Sequence, residues 1–152
     1  MLSKQAVLIS IHREHAERIL DGLKTLEIRK TAPTVEAFPY TIYMYETKGT
    51  GSGLVVGEFK CRGHIKTNCF HSKTSEALRA TGADSVEAYG HYIAGRACLS
   101  VEELIKYADT AKNKKIVAWD VSAPVRYQYP RPLSQYGITT APQSWCYVVA
   151  NT

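Results

Sequence analysis

The stretch that decides the fold is GLKTLEIR, residues 22–29, which places a lysine, a glutamate and an arginine in one strand-length segment. After residue 22 the side chains alternate with the period of a β-strand, which predicts that Lys24, Leu26 and Ile28 face one side and Thr25, Glu27 and Arg29 the other. Three charges this close together are costly to remove from water unless they are paired. The segment is therefore predicted to be a surface strand or the floor of a polar cleft.

A strand and an amphipathic helix are predicted before this stretch. Residues 6–11, AVLISI, form an apolar and β-branched run with the length of a buried strand. Apolar side chains then recur at helical spacing over residues 16–23, with charged side chains on the other face. Gly22 is predicted to end this helix, because glycine adopts the left-handed backbone conformation at little steric cost.

The rest of the chain predicts further strands and a helical region. Strand character is found in four more segments, residues 40–47, 54–65, 116–123 and 145–150. Between them, residues 74–76 and 85–87 resemble helix starts, and Ser100 with Glu103 forms a capping box. The predicted fold class is α+β: a closed or partly open β-barrel with flanking helices and a helical insertion at about residues 70–110. The length of 152 residues predicts one domain over 1–152.

Composition excludes some classes of protein and permits others. No stretch of 18 apolar residues is found, and the N-terminal apolar run is too short for a signal peptide, so we expect a cytoplasmic protein without membrane contact. The four cysteines lack the density and spacing of a disulfide framework and are predicted to be reduced. A net charge of +5 permits nucleic-acid binding, although the excess is spread thinly along the chain.

Two motifs give the chain a family resemblance. The order strand, helix and then G-x-K-x-x-E-x-R resembles the ASCH domain, a branch of the PUA-like superfamily of small β-barrels. Residues 141–148, APQSWCYV, resemble the closing segment of short, stand-alone ASCH proteins that are common in bacteria and their phages. The resemblance implies a PUA-like barrel and a bacterial or phage protein. The matched positions of the first motif are Gly22, Lys24, Glu27 and Arg29.

The resemblance also implies a ligand. PUA-like folds resemble one another in holding a nucleobase or a short RNA segment in a cleft beside the barrel. A flipped base requires an aromatic face for stacking and hydrogen-bonding groups for its edge. We therefore expect RNA or a modified nucleoside or nucleotide to bind in a polar cleft around the strand at 22–29. The candidate binding residues are Lys24, Glu27, Arg29, Gln143, Ser144, Trp145 and Tyr147.

Enzyme activity is a second possibility that the resemblance raises. Some ASCH proteins are amidohydrolases that act on acetylated cytidine nucleosides, with a catalytic lysine at the position of Lys24 and a nucleophilic threonine at the position that Glu27 occupies here. Thr25 is the hydroxyl within the motif, so Lys24, Glu27 and Thr25 are the candidate catalytic residues. Two further functions stay open: a metal-independent ribonuclease, and an accessory protein that sequesters a nucleotide-like ligand.

The spacing of two cysteines and two histidines raises the possibility of a metal site. The order Cys61, His64, Cys69 and His71 places four potential ligands within eleven residues. Strand alternation puts Cys61 and His64 on opposite faces, and the C-x-x-C knuckle of structural zinc sites is missing from the sequence. We therefore expect neither a metal nor a cofactor.

Overall fold

The computed structural model of the chain describes residues 4–67 and 86–150. Its strands are β1 (Gln5–Ile11), β2 (Leu26–Arg29), β3 (Tyr40–Glu46), β4 (Val55–Cys61), β5 (His64–Thr67), β6 (Ile116–Asp120), β7 (Ser122–Arg131) and β8 (Trp145–Val149). Its helices are α1 (Arg13–Leu20), α2 (Val86–Arg96) and α3 (Val101–Asp109), and short 3-10 turns lie at Lys112–Lys114 and Leu133–Tyr136.

The chain divides into two compact units, and the first holds a five-stranded sheet. This unit comprises Met1–Leu23, Pro33–Gly63 and Val121–Thr152. Its strand order is β7-β4-β3-β1-β8. The interior strand β1 runs parallel to β3 and antiparallel to β8, and its buried apolar residues match the strand predicted at residues 6–11.

One face of the five-stranded sheet carries an apolar cluster rich in aromatic rings. Tyr43 of β3 and Tyr136 of the second 3-10 turn pack with their ring centroids 4.7 Å apart. Ala6 and Leu8 of β1 and Val148 of β8 belong to the same cluster. Tyrosines suit this cluster, because a tyrosine combines a large apolar ring, which packs in the cluster, with a polar tip.

In its described residues, the second unit is a three-stranded antiparallel sheet that packs against helices α2 and α3. It comprises Lys24–Ala32 and His64–Asp120, with the strand order β2-β6-β5. Leu26 and Ile28 of β2 belong to an apolar cluster with Ile93 of α2 and Leu104 of α3. The alternation predicted for this strand is confirmed on its apolar side, since both residues are buried in one cluster.

Two predicted helix ends are confirmed. Gly22 has a φ angle of 78°, the left-handed conformation that ends a helix, and α1 stops two residues earlier at Leu20. At α3 the Ser100 side chain accepts a hydrogen bond from the Glu103 amide at 3.0 Å, and the Glu103 carboxylate accepts one from the Ser100 amide at 3.1 Å. These reciprocal bonds form the predicted capping box.

Two predicted strands are each divided in the structure. The segment 54–65 becomes β4 and β5, which belong to different sheets, and the segment 116–123 becomes β6 and β7 in the same way. An apolar alternating run indicates a strand but does not specify its partner, so the change of sheet is not visible in the sequence. The predicted helix start at 74–76 lies outside the described residues, as do Cys69 and His71.

The α+β class is confirmed, and the closed barrel is not. The strands in residues 4–67 and 86–150 pair into one sheet of five and one sheet of three, without a closed ring of strands. None of the described helices is long and apolar enough to span a membrane.

Candidate functional site

The three charged side chains of the 22–29 segment lie together in the second unit. The Glu27 carboxylate is divided between two cations: Oε1 is 3.6 Å from the Lys24 ammonium, and Oε2 accepts hydrogen bonds from Arg29. The Arg29 donors are Nη2 at 2.9 Å and Nε at 3.2 Å. The Lys24 ammonium also donates a hydrogen bond to the backbone carbonyl of Ala97, just beyond α2. We call Lys24, Glu27 and Arg29 the charged cluster.

Strand geometry explains how the charged cluster forms. Glu27 and Arg29 are two residues apart on β2 and therefore share one face, as the alternation predicted. In the register with β6, Glu27 lies opposite Trp119 and Arg29 opposite Val117. The prediction that Lys24 lies on the opposite face is wrong. The strand begins at Leu26, so strand alternation does not govern Lys24, and its ammonium lies beside the Glu27 carboxylate.

The charged cluster is buried, which the sequence did not predict. The exposed fractions of Lys24, Glu27 and Arg29 are 2%, 6% and 8%. A surface strand or an open cleft would leave these side chains in contact with water, and here pairing among them replaces most of that hydration. Burial of paired charges is costly, and apolar residues of similar volume often stabilise a protein as well or better.

Thr25 is held by an arginine that the sequence motifs do not include. Arg96, in the last turn of α2, donates from Nε to the Thr25 hydroxyl at 3.1 Å and from Nη2 to the Thr25 carbonyl at 3.3 Å. The Thr25 amide in turn donates to the Arg96 carbonyl at 2.8 Å. Arg96 also lies 3.7 Å from Asp120 and donates to the Tyr92 hydroxyl at 2.8 Å. A basic residue in the last turn of a helix is common, so the sequence carries no signal for these contacts.

Tyr107 is a second residue that the sequence did not point to. It lies on α3, is half-buried, and packs against the apolar cluster of the second unit. The ammonium of Lys30 lies 5.1 Å from the centroid of its ring. Burial raises the pKa of the Tyr107 hydroxyl, while the nearby Arg29 charge lowers this pKa and the Glu27 charge raises it. Tyr107 is one of ten tyrosines, and nothing in its local sequence distinguishes it.

Trp119 and His64 lie on the same sheet as the charged cluster. Trp119 of β6 is fully buried and donates from its indole nitrogen to the Thr31 carbonyl at 3.2 Å. His64 of β5 lies opposite Trp119 in the strand register, with the ring centroids 5.8 Å apart. Burial lowers the pKa of His64, and the positive charge of Lys66 lowers it further.

The other predicted binding residues belong to the first unit. Trp145 and Tyr147 share a face of β8 and contact each other edge to face at 5.2 Å. The Tyr147 hydroxyl accepts a hydrogen bond from the Thr34 amide at 2.9 Å and donates one to the Thr34 carbonyl at 3.3 Å. Ser144 accepts a backbone hydrogen bond from Ser10 at 2.9 Å, and Gln143 is exposed.

Of the four candidate metal ligands, Cys61 and His64 lie in the described part of the chain. In residues 4–67 and 86–150, no three histidine, cysteine, aspartate or glutamate side chains are grouped so that they could hold a metal ion. The Cys61 thiol is buried and donates to the Gly63 carbonyl at 3.2 Å.

Comparison with known proteins establishes the fold. Three similar crystal structures come from an ASCH protein of Zymomonas mobilis. The structure of the ASCH protein without a substitution in its name has a TM-score of 0.66 at 20% identity, with 93% of this chain and 86% of that chain covered. A serine-to-alanine mutant has a TM-score of 0.65 at 18% identity, with 97% and 90% covered. A tyrosine-to-phenylalanine mutant has a TM-score of 0.64 at 19% identity, with 93% and 88% covered.

The chain therefore has an ASCH-like fold, as its sequence motifs predicted. No protein-family model matches the sequence, and no curated protein matches it either. Identities this low establish the architecture and leave the activity to be argued from the site.

Proposed function

We propose that the protein binds RNA or a modified nucleoside, and that the charged cluster of Lys24, Glu27 and Arg29 recognises it. The observation that carries this proposal is the burial of three paired charges in a small unit whose remaining core is apolar. A purely structural core gains little from such a cluster, because paired buried charges seldom stabilise a fold more than apolar residues do. We therefore infer that the charged cluster is kept for a function and not for stability.

The chemistry of the charged cluster suits a nucleobase. The guanidinium of Arg29 offers several donors in a fixed plane, which match the carbonyl and ring nitrogen acceptors of a base edge or the oxygens of a phosphate. The carboxylate of Glu27 accepts from an exocyclic amino group, and the ammonium of Lys24 supplies a positive charge beside it. Together the three side chains provide both donors and acceptors within one hydrogen-bonded cluster.

The surroundings of Thr25 favour a binding protein over an amidohydrolase. A nucleophilic hydroxyl needs a base within hydrogen-bonding distance to take its proton. The Thr25 hydroxyl instead accepts a hydrogen bond from Arg96, a guanidinium that stays protonated and cannot serve as that base. Binding without acyl transfer therefore accounts for this geometry better than catalysis at Thr25 does.

The proposal is tested by titrating the protein against a fluorescently labelled single-stranded RNA, with cytidine and acetylcytidine as competitors. Arg29→Gln replaces the charged, forked guanidinium with a shorter neutral amide and should weaken binding by about 1–3 kcal/mol, the usual value of a bidentate contact. Arg18→Gln is the matched control, since it removes the same charge from a partly exposed side chain on α1. Affinity for RNA should fall as salt rises, because neutralised phosphates release their counterions.

The outcomes of this titration are distinct. Displacement of the RNA by acetylcytidine but not by cytidine would identify a modified nucleoside as the preferred ligand. Equal losses in Arg29→Gln and Arg18→Gln would indicate diffuse charge attraction and contradict the role of the charged cluster. A wild-type protein that binds neither RNA nor nucleoside would overturn the proposal. Thermal unfolding of each variant, followed by circular dichroism, confirms that it is folded under the titration conditions.

A further inference from the structure

Tyr107 and Lys30 form a pair beside the charged cluster that none of the sequence motifs includes. The Lys30 ammonium lies 5.1 Å from the centroid of the Tyr107 ring, within the range of a cation–π contact. Lys30 directly follows Arg29 in the chain, where β2 ends and the backbone bends. The pair therefore joins the end of the strand that carries the charged cluster to helix α3.

Tyr107 and Lys30 have different surroundings. Tyr107 packs against the apolar cluster of the second unit, together with Leu104 and Ala108 of its own helix. Lys30 is an exposed side chain, and Tyr107 remains partly accessible. An exposed lysine moves at little cost because its flexible stem has several rotatable bonds. Movement of Lys30 would uncover a rigid aromatic ring that is already fixed from behind by the apolar core.

We propose that Tyr107 and Lys30 form a nucleotide subsite, in which a base stacks on the Tyr107 ring and Lys30 binds the phosphate attached to that nucleotide. This inference rests on the proposed function and narrows its ligand to phosphorylated nucleotides within single-stranded RNA, in preference to free nucleosides. Stacking on an aromatic ring combined with a mobile cation for the backbone is the usual way in which proteins hold single strands.

The position of Tyr107 relative to the charged cluster supports this subsite. The charges of Arg29 and Glu27 shift the pKa of the Tyr107 hydroxyl in opposite directions, so this hydroxyl lies within electrostatic range of the charged cluster. Lys30 directly follows Arg29 in the chain, which places the subsite at the end of the strand that carries the charged cluster. A nucleotide there would have two kinds of partner, an aromatic face and a mobile ammonium.

The stacking role is tested with variants of Tyr107 in the same RNA titration. Tyr107→Leu should weaken binding about tenfold, because the aromatic face is lost while the apolar contacts with the cluster of the second unit are largely kept. Tyr107→Phe should bind as the wild type does, since stacking uses the ring and not the hydroxyl. Unchanged binding by Tyr107→Leu, or equal losses in the two variants, would contradict a stacking role.

The phosphate role is tested through salt dependence. Lys30→Gln should reduce the slope of log affinity against log salt by about 0.7, the value for one phosphate contact on a single strand. Lys106→Gln is the matched control, because Lys106 is an exposed lysine next to Tyr107 in the chain, and it should leave the slope unchanged. In competition, cytidine monophosphate should displace RNA from the wild type better than cytidine does, and Lys30→Gln should remove this difference. Equal slopes in both lysine variants would overturn the phosphate contact.

A measurement on the unaltered protein guards against variants that fail to fold. An RNA containing 4-thiouridine is photo-crosslinked to the wild-type chain, and the crosslinked peptide is identified by mass spectrometry. We expect the crosslink in the peptide that contains Tyr107, and a crosslink confined to other peptides would refute the subsite. Binding that is lost in Arg29→Gln but unchanged in Tyr107→Leu would overturn the subsite and leave the proposed function standing. A wild-type protein without RNA binding would overturn both.

Discussion

At the scale of single residues, Glu27 holds the second unit's buried charges together. Its two carboxylate oxygens contact different cations, Lys24 and Arg29, and both of these cations are at least nine-tenths buried. Removal of the carboxylate would leave two neighbouring positive charges with little water to stabilise them. The cost of such a change comes from the charges left behind, and not from the loss of a favourable pair.

The first prediction concerns this carboxylate. Glu27→Ala should lower the free energy of unfolding by about 3–5 kcal/mol, the usual cost of breaking a buried ion pair from one side. Glu14→Ala is the control, since Glu14 pairs with Arg18 on the exposed face of α1 at 2.9 Å and should cost no more than about 1 kcal/mol. Urea unfolding of both variants measures the difference. Similar small losses would show that the charged cluster is well hydrated.

The second prediction concerns His64 and pH. Its pKa is lowered in the folded protein by burial and by Lys66, so below the ordinary histidine pKa of about 6.5 the unfolded chain binds more protons than the folded one. Stability must then rise with pH between the lowered folded pKa and about 6.5, and the contribution of His64 is lost on acidification through that window.

The measurement is urea unfolding on either side of this window. His64→Gln should show a smaller loss of stability on acidification than the wild type does. His91→Gln, which replaces an exposed histidine of α2, should retain the wild-type pH dependence. If both variants respond to pH as the wild type does, His64 does not contribute to acid destabilisation.

At the scale of secondary structure, a glycine on β4 allows close approach of two elements. A β-carbon at Gly57 would lie 2.5 Å from the carbonyl oxygen of Val125 on β7 and 2.9 Å from a methyl group of Leu20 on α1. The register between β4 and β7 also shifts on either side of Gly57 and Glu58. Glycine is therefore required here by the closeness of the neighbouring backbone and not by its own φ angle.

The third prediction follows from this contact. Gly57→Ala should destabilise the protein by about 1–3 kcal/mol, because the carbonyl of a paired strand cannot move away as a flexible side chain can. Gly63→Ala provides the comparison, since a β-carbon at Gly63 would meet nothing within 4 Å. Thermal unfolding of the two variants measures the effect. Equal melting temperatures would show that β7 moves away from the added methyl group without loss of stability.

At the scale of the whole molecule, charge is divided between a buried set and an exposed set. The chain has 19 lysines and arginines against 14 acidic residues. Two of these basic residues are locked in the charged cluster, whereas Lys112, Lys114 and Lys115 are exposed beside the first 3-10 turn. Exposed charge attracts any polyanion from a distance, but it does not discriminate among ligands. The proposed selectivity therefore depends on the buried set.

Local features of the fold could be read directly from the sequence. The strand over Leu26–Arg29, the helix end at Gly22 and the capping box at Ser100 all depend on residues within four positions of one another. Side-chain alternation, backbone freedom and capping are short-range effects, so a sequence window contains the information that they need. The pairing of Glu27 with Arg29 belongs to the same class, because a strand places residues two apart on one face.

Tertiary structure alone decided which distant groups meet. The Lys24 ammonium bonds to the Ala97 carbonyl across 73 residues, Arg96 holds Thr25 across 71, and Lys30 reaches Tyr107. It also turned a segment predicted to be a surface strand or a cleft floor into a buried edge strand. Such contacts depend on how α2 and α3 pack on the sheet. That packing is driven by the burial of apolar surface, which is non-directional, so a short window of sequence does not specify it. Sequence by itself determined the strand and its charges, and packing decided that those charges are buried and paired.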